Sequence, residues 1–74
     1  MKLYVEFKNV ESRESYIEKL NKKDFNPSLN DYGTLIIEAD WILYIGDLKS
    51  IQIEKNQKEV LINLDDVDNI EIQK

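Results

Sequence analysis

From Thr34 onward the chain is a succession of short apolar runs, separated by breaks too short for anything but hairpins. The runs cover residues 34–38, 41–45, 49–54, 59–64 and 69–73, and most of the breaks are two to four polar residues, at 39–40, 46–47 and 55–58. A parallel connection needs a crossover of a dozen or more residues, so successive runs must lie antiparallel. Leu64, Val67 and Ile70 are spaced by three, which predicts a single helical turn across residues 65–68 before the last strand.

The residues before this stretch read differently. Leu3, Val5 and Phe7 alternate with Lys2, Tyr4, Glu6 and Lys8, the period of a strand with one buried face. Ser12 then offers an N-cap oxygen, Glu14 puts negative charge in the first turn, and Tyr16, Ile17 and Leu20 recur at helical spacing. With Glu18 and Lys22 as an i,i+4 pair, a helix is predicted over residues 12–23, ending before Pro27, which disfavours helical geometry at Asn26. Residues 26–33 are dense in turn formers and are expected to be a loop. The fold class that follows is α+β: one N-terminal strand, one helix, then an antiparallel β-meander of about five short strands, forming a twisted sheet or a small barrel.

Composition narrows what such a domain can do. At 74 residues the chain is one domain over 1–74, and a core of this size is usually reinforced by disulfides, a metal or self-association. Cysteine and histidine are both absent, which removes disulfides, thiolate sites, the commonest general base and the commonest transition-metal ligand. Self-association is the reinforcement that remains, so a homo-oligomer is expected. The N-terminus has no long apolar run, the longest apolar stretch (41–45) is far too short to span a bilayer, and Asn26-Pro27-Ser28 carries proline where glycosylation forbids it. A soluble cytoplasmic protein is the expectation. Ten isoleucines, nine lysines and seven asparagines beside one arginine suggest an AT-rich coding sequence, as in a low-GC bacterium or its phage.

No motif supplies chemistry. Asp65, Asp66, Asp68 and Glu71 cluster, but a calcium loop begun at Asp66 would have Ile70 at its fifth position and Glu71 where glycine is required. Asp31, Asp40 and Asp47 lie in three successive loops, yet paired-carboxylate catalysis needs a cleft that shields one of them. The serines have no histidine to activate them, and Gly33 and Gly46 belong to no phosphate-binding loop. No enzyme, cofactor or metal is expected. The run from Gly33 to Tyr44, with that from Leu64 to Ile72, resembles the strand pattern of GRAM and pleckstrin-homology-like domains. That resemblance implies a β-rich core closed by a capping helix, for which this sequence has no counterpart, and no function is carried over from it.

The aromatic residues say more. Trp41, Leu43 and Ile45 fall on one face of their strand and Ile42 and Tyr44 on the other, so both faces need cover, and one helix can cover only one. Tyr4, Ile36, Ile42 and Tyr44 are expected to form an exposed apolar patch if the sheet stays open. Residues 1–24 carry six basic and five acidic side chains and residues 25–74 four against ten, which puts most of the net charge of −5 on the β portion. Direct binding to nucleic acid or to an anionic membrane is not expected of such a surface. The leading expectation is a small acidic, non-enzymatic protein, of the kind phages and mobile elements use as accessory factors or inhibitors, that docks on another protein. Its partner is expected to be basic or nucleic-acid-binding, and the docking residues to be Tyr32, Asp40, Trp41 and Tyr44. Two alternatives are a homo-oligomeric binder of a nucleotide-like ligand, using Arg13, Lys22 and Lys23, and a DNA mimic whose carboxylates imitate a phosphate backbone.

Overall fold

The computed structural model describes all residues, Met1–Lys74. Its elements are β1 (Lys2–Phe7), α1 (Val10–Lys22), β2 (Ser28–Leu29), β3 (Leu35–Glu38), β4 (Trp41–Ile45), a 3₁₀ turn (Gly46–Leu48), β5 (Ser50–Lys55), β6 (Lys58–Asn63), a second 3₁₀ turn (Leu64–Asp66) and β7 (Val67–Gln73). The α+β class and the antiparallel pairing hold throughout. The strands do not form one sheet: β2-β3-β1-β7 make a four-stranded sheet, β4-β5-β6 a three-stranded one, and neither closes into a barrel.

Two corners carry the chain from one sheet to the other. At the first, Ala39 exchanges hydrogen bonds with Met1 (3.0 Å each way), prolonging the β1–β3 pairing, while the next residue, Asp40, already donates its N–H to Glu54 of the other sheet (2.7 Å). At the second, the Leu64 N–H bonds the Lys49 carbonyl (2.8 Å) and the Lys8 N–H bonds the Asp66 carbonyl (2.9 Å). Backbone groups are thus paired through both bends, which a buried corner requires.

Between the sheets lies a single core: Leu3, Val5, Leu35 and Ile37 from one, Ile51, Ile53, Val60 and Ile62 from the other, closed by Tyr16 and Leu20 of α1 and by Phe25. The helix begins two residues earlier than its sequence suggests. Asn9, not Ser12, is the N-cap, and its side chain accepts the Ser12 N–H at 2.8 Å. The far end is a Schellman arrangement: the Phe25 N–H bonds the Leu20 carbonyl (3.0 Å) and the Asp24 N–H the Asn21 carbonyl (3.1 Å), with Asp24 left-handed at φ 60°. The motif's usual hydrophobic contact joins Phe25 to Leu20, both fully buried, so helix termination and core filling are one event. Asp24 also meets the Lys58 ammonium at 2.9 Å, which holds its carboxyl below the usual range. The pair is solvent-exposed, and its small contribution fades as pH falls through the carboxylate range.

Tyr16 ties the helix to the second corner. Its hydroxyl donates to Asp66 Oδ2 (2.8 Å) and accepts the Asn63 N–H (3.0 Å), its ring stacks on Phe7 (5.2 Å between centroids), and the Lys19 ammonium sits 5.0 Å above that ring. Burial, opposed by the Asn63 N–H but reinforced by Asp66, pushes the Tyr16 phenol above its ordinary value.

The residues expected to be loop, 26–33, contain the short strand β2, which pairs Ser28 with Ile36 and Leu29 with Leu35. The expected patch of Tyr4, Ile36, Ile42 and Tyr44 does not form. Tyr4 and Ile36 are cross-strand neighbours on the outer face of the four-stranded sheet, whereas Ile42 and Tyr44 share the core-side face of β4 in the other sheet, where Ile42 packs on the core and Tyr44 stays 63% exposed. Nor is the basic third a separate side of the molecule, because β1 lies between β3 and β7.

Tyr16→Phe keeps the ring but strands the Asn63 N–H and the Asp66 carboxylate, and is expected to lower stability by about 1–3 kcal/mol in urea denaturation. Because the folded-state phenol titrates above its unfolded value of about 10, this difference from wild type is present in full below pH 10 and shrinks as pH rises through the folded value. The β5–β6 turn is built on Asn56 (φ 52°) and Gln57 (φ 68°), a left-handed pair that favours Asn-Gly. Gln57→Gly should therefore raise stability by about 0.5–1 kcal/mol, read as an increase in Tm.

Candidate functional site: the outer face of the three-stranded sheet

The register of β4, β5 and β6 assigns each side chain to a face. Trp41, Leu43 and Ile45 lie beside Glu54, Gln52 and Ser50, which in turn lie beside Glu59, Leu61 and Asn63. The opposite face carries Ile42, Ile51, Ile53, Val60 and Ile62 and meets the core. α1 contributes its buried residues to that core, while its Lys19 and its C-cap Lys23 border the first face at Glu59 and Leu61; Ser50 is buried at the other end of this face, and Trp41 and Leu43 are open to solvent.

Leu43 and Leu61 flank Gln52 in one cross-strand row and are 50% and 46% exposed; Trp41, in the adjoining row, is 37% exposed. The result is an apolar stripe across the sheet. In the Trp41 row, Glu54 and Glu59 stand side by side, and none of the nine residues of this face carries a positive charge. Two adjacent carboxylates beside an indole and two leucines suit an apolar group flanked by cations.

The structure separates the residues expected to form the site. Trp41 lies on this face. Tyr44 points to the other side of the same strand, its ring folded over Gly46, where a Cβ would come within 3.4 Å of it. Asp40 is occupied in holding the fold: its Oδ2 accepts the Asn56 N–H at 2.9 Å and so anchors the β5–β6 turn to the first corner. Tyr32, 92% exposed, projects from the β2–β3 turn near Lys8, beyond the C-terminal end of β1, whereas Asp40 lies beside Met1 at its N-terminal end. Leu61 was not singled out in the sequence, although Val60-Leu61-Ile62 shows the same doubly apolar pattern that singles out β4.

Other regions offer less. Arg13 borders a groove of about 380 Å³ with Phe7, Lys8, Val10 and Tyr32. Its guanidinium leans on the Gly33 carbonyl (3.5 Å) and Glu14 (3.3 Å), and its buried Nε has no partner. Lys22 and Lys23 lie at the other end of α1, about 14 Å along the axis from Arg13, so the three cations expected to meet a phosphate are not a cluster. The carboxylates are likewise dispersed: Glu38 and Glu71 on the four-stranded sheet, Glu54 and Glu59 on the three-stranded one, Asp65 and Asp66 at a corner. No three carboxylates stand close enough to hold a metal ion, and no helix is long and apolar enough to cross a membrane.

No family model matches this chain, and neither the curated proteins nor the solved structures contain a match. The strand-pattern resemblance to GRAM and pleckstrin-homology-like domains has no counterpart among them.

Asp40→Ala is expected to act as a stability variant, costing about 1 kcal/mol through the lost turn anchor. Amide exchange at Asn56 should accelerate while exchange across α1 is unchanged.

Proposed function

We propose that this protein is a non-enzymatic docking module that holds another protein against the outer face of its three-stranded sheet. The observation that carries the reading is the uncovered stripe of Trp41, Leu43 and Leu61 beside the Glu54–Glu59 pair. Burying large apolar groups drives association, and tryptophan is among the residues most enriched at interface hot spots. The flanking carboxylates add direction: they favour a partner whose apolar tip is bordered by Lys or Arg, and they steer it at long range in a chain of net charge −5. Tyr32 and Tyr44 play no part in this contact, and Asp40 contributes only by fixing the hairpin.

The immobilised chain, exposed to an extract of a low-GC bacterium, should retain basic proteins that are released as salt is raised. Trp41→Ala and Leu61→Lys should each weaken retention, Trp41→Ala by about 2 kcal/mol, roughly 30-fold in affinity, while Tyr32→Ala binds as wild type. Equal retention by wild type and Leu61→Lys would contradict the assignment of the face.

A further inference from the structure

Strand β4 is apolar throughout, yet none of its side chains is buried. Trp41, Ile42, Leu43, Tyr44 and Ile45 are all exposed or part-exposed, and β4 is the only strand longer than two residues without a buried side chain. It has one neighbour, β5, so the backbone groups directed to its other side are unpaired as well. An edge that is open in its backbone and on both faces is what an added strand covers, because alternate side chains of that strand fall on the two faces. The other three edges lack this combination. β7 carries Asp68 and Glu71, β6 carries Lys58 and Glu59 and buries Val60 and Ile62, and β2 offers only Ser28 and Leu29, too little backbone to hold a further strand.

We propose that the β4 edge receives an extended segment of a partner protein, a short apolar run bounded by Lys or Arg at both ends, as a fourth strand of the β4-β5-β6 sheet. The proposal rests on the docking reading above and adds how the partner is held: by its backbone at the edge, next to the outer stripe. Charge selects the occupant. Asp40 precedes the strand and Asp47 follows it, both exposed, and Asp47 enters none of the ion pairs of the fold. An added strand running in either direction therefore sets one of its ends beside each aspartate, and Glu38 and Glu54 add to the same field. The cations nearest in the chain, Lys49 and Lys55, are aligned with β5 instead: the Lys49 carbonyl accepts the Leu64 N–H (2.8 Å), and Lys55 pairs with Lys58 across the hairpin. A second β4 would bring its own two aspartates to the same ends, so in a chain of net charge −5 this edge disfavours a copy and favours a basic segment.

On the outer face, side chains of the segment lie beside Trp41, Leu43 and Ile45, extending the row that runs through Gln52 to Leu61. On the core-side face they lie beside Ile42 and Tyr44. Main-chain pairing supplies the affinity, and the alternating side chains with their flanking cations supply the choice of partner. One five-residue strand covers less than the roughly 800 Å² per partner of a standard interface. The isolated segment therefore binds with a dissociation constant between about 10 µM and 1 mM, and the body of the partner on the outer stripe supplies the rest.

The probe is a capped peptide of alternating valine and threonine with a pair of lysines at each end, titrated at low salt into the full chain and followed residue by residue through amide exchange. Saturable binding that slows exchange at residues 41–45 and leaves residues 67–73 of β7 unchanged is expected. The same peptide with glutamate for each lysine should bind about tenfold more weakly, and with proline at its central position it should not bind. Asp47→Lys should weaken the lysine peptide about fivefold, while Leu61→Lys, inside the docking stripe but two strands from the edge, should bind it as wild type. Failure of the lysine peptide to bind at about 1 mM, equal binding by the glutamate peptide, undiminished binding by the proline peptide, or protection at β2 or β7 instead of β4 would overturn the proposal. So would protection of residues 41–45 that grows with protein concentration in the absence of peptide, the mark of a second copy at the edge. Retention of basic proteins without peptide binding overturns the edge alone, whereas peptide binding with equal protein retention by wild type and Leu61→Lys overturns the docking face alone.

Discussion

A chain of 74 residues without cysteine or histidine has one means of holding itself together, a single apolar core, and one helix with which to close it. Everything else in the structure follows from where that helix is spent. Tyr16 and Leu20 point between the two sheets, and the Tyr16 hydroxyl fastens α1 to the corner at which β6 turns into β7. The same contact bonds both sides of that corner, because Asn63 ends the three-stranded sheet and Asp66 leads into the four-stranded one. With the helix committed to the gap, the outer faces of both sheets are left to water.

The two outer faces meet that situation differently. On the four-stranded sheet, Tyr4 and Ile36 are half-buried against each other among Lys2, Glu6, Glu38 and Glu71, an ordinary solvated surface. On the three-stranded sheet, Trp41, Leu43 and Leu61 lie in adjoining rows with no cation among them. Three acidic groups elsewhere have structural duties: Asp40 holds a turn, Asp66 holds the helix, and Asp24 pairs with Lys58. Glu54 and Glu59 have no such duty in the hydrogen bonds and ion pairs of the fold, and they stand beside the one indole in the chain.

Local elements were legible from sequence wherever alternation or spacing was regular: β1, β4 and the helical turn before β7 all fall close to their expected places. Helix α1 started early because Asn9 and Ser12 are both competent caps, and only the geometry of the chain leaving β1 decides between them. Strand β2 was hidden among turn formers, since two residues of pairing leave no period to read. The division into two sheets was not visible, because a corner that changes sheets between Ala39 and Asp40 has the same sequence signature as a tight hairpin. For the same reason the candidate site was only half legible. The doubly apolar character of β4 identified Trp41, but which face is outward depends on where the helix sits. Leu61 joins Trp41 and Leu43 only through the register across Gln52.

The chain's single tryptophan makes the central claim directly measurable. Acrylamide quenching of Trp41 fluorescence, with and without a retained partner at saturating concentration, reports whether that face is covered. A blue-shifted emission and a severalfold drop in quenching are expected on complex formation. A partner that binds while Trp41 stays as accessible as in the free chain would contradict that claim.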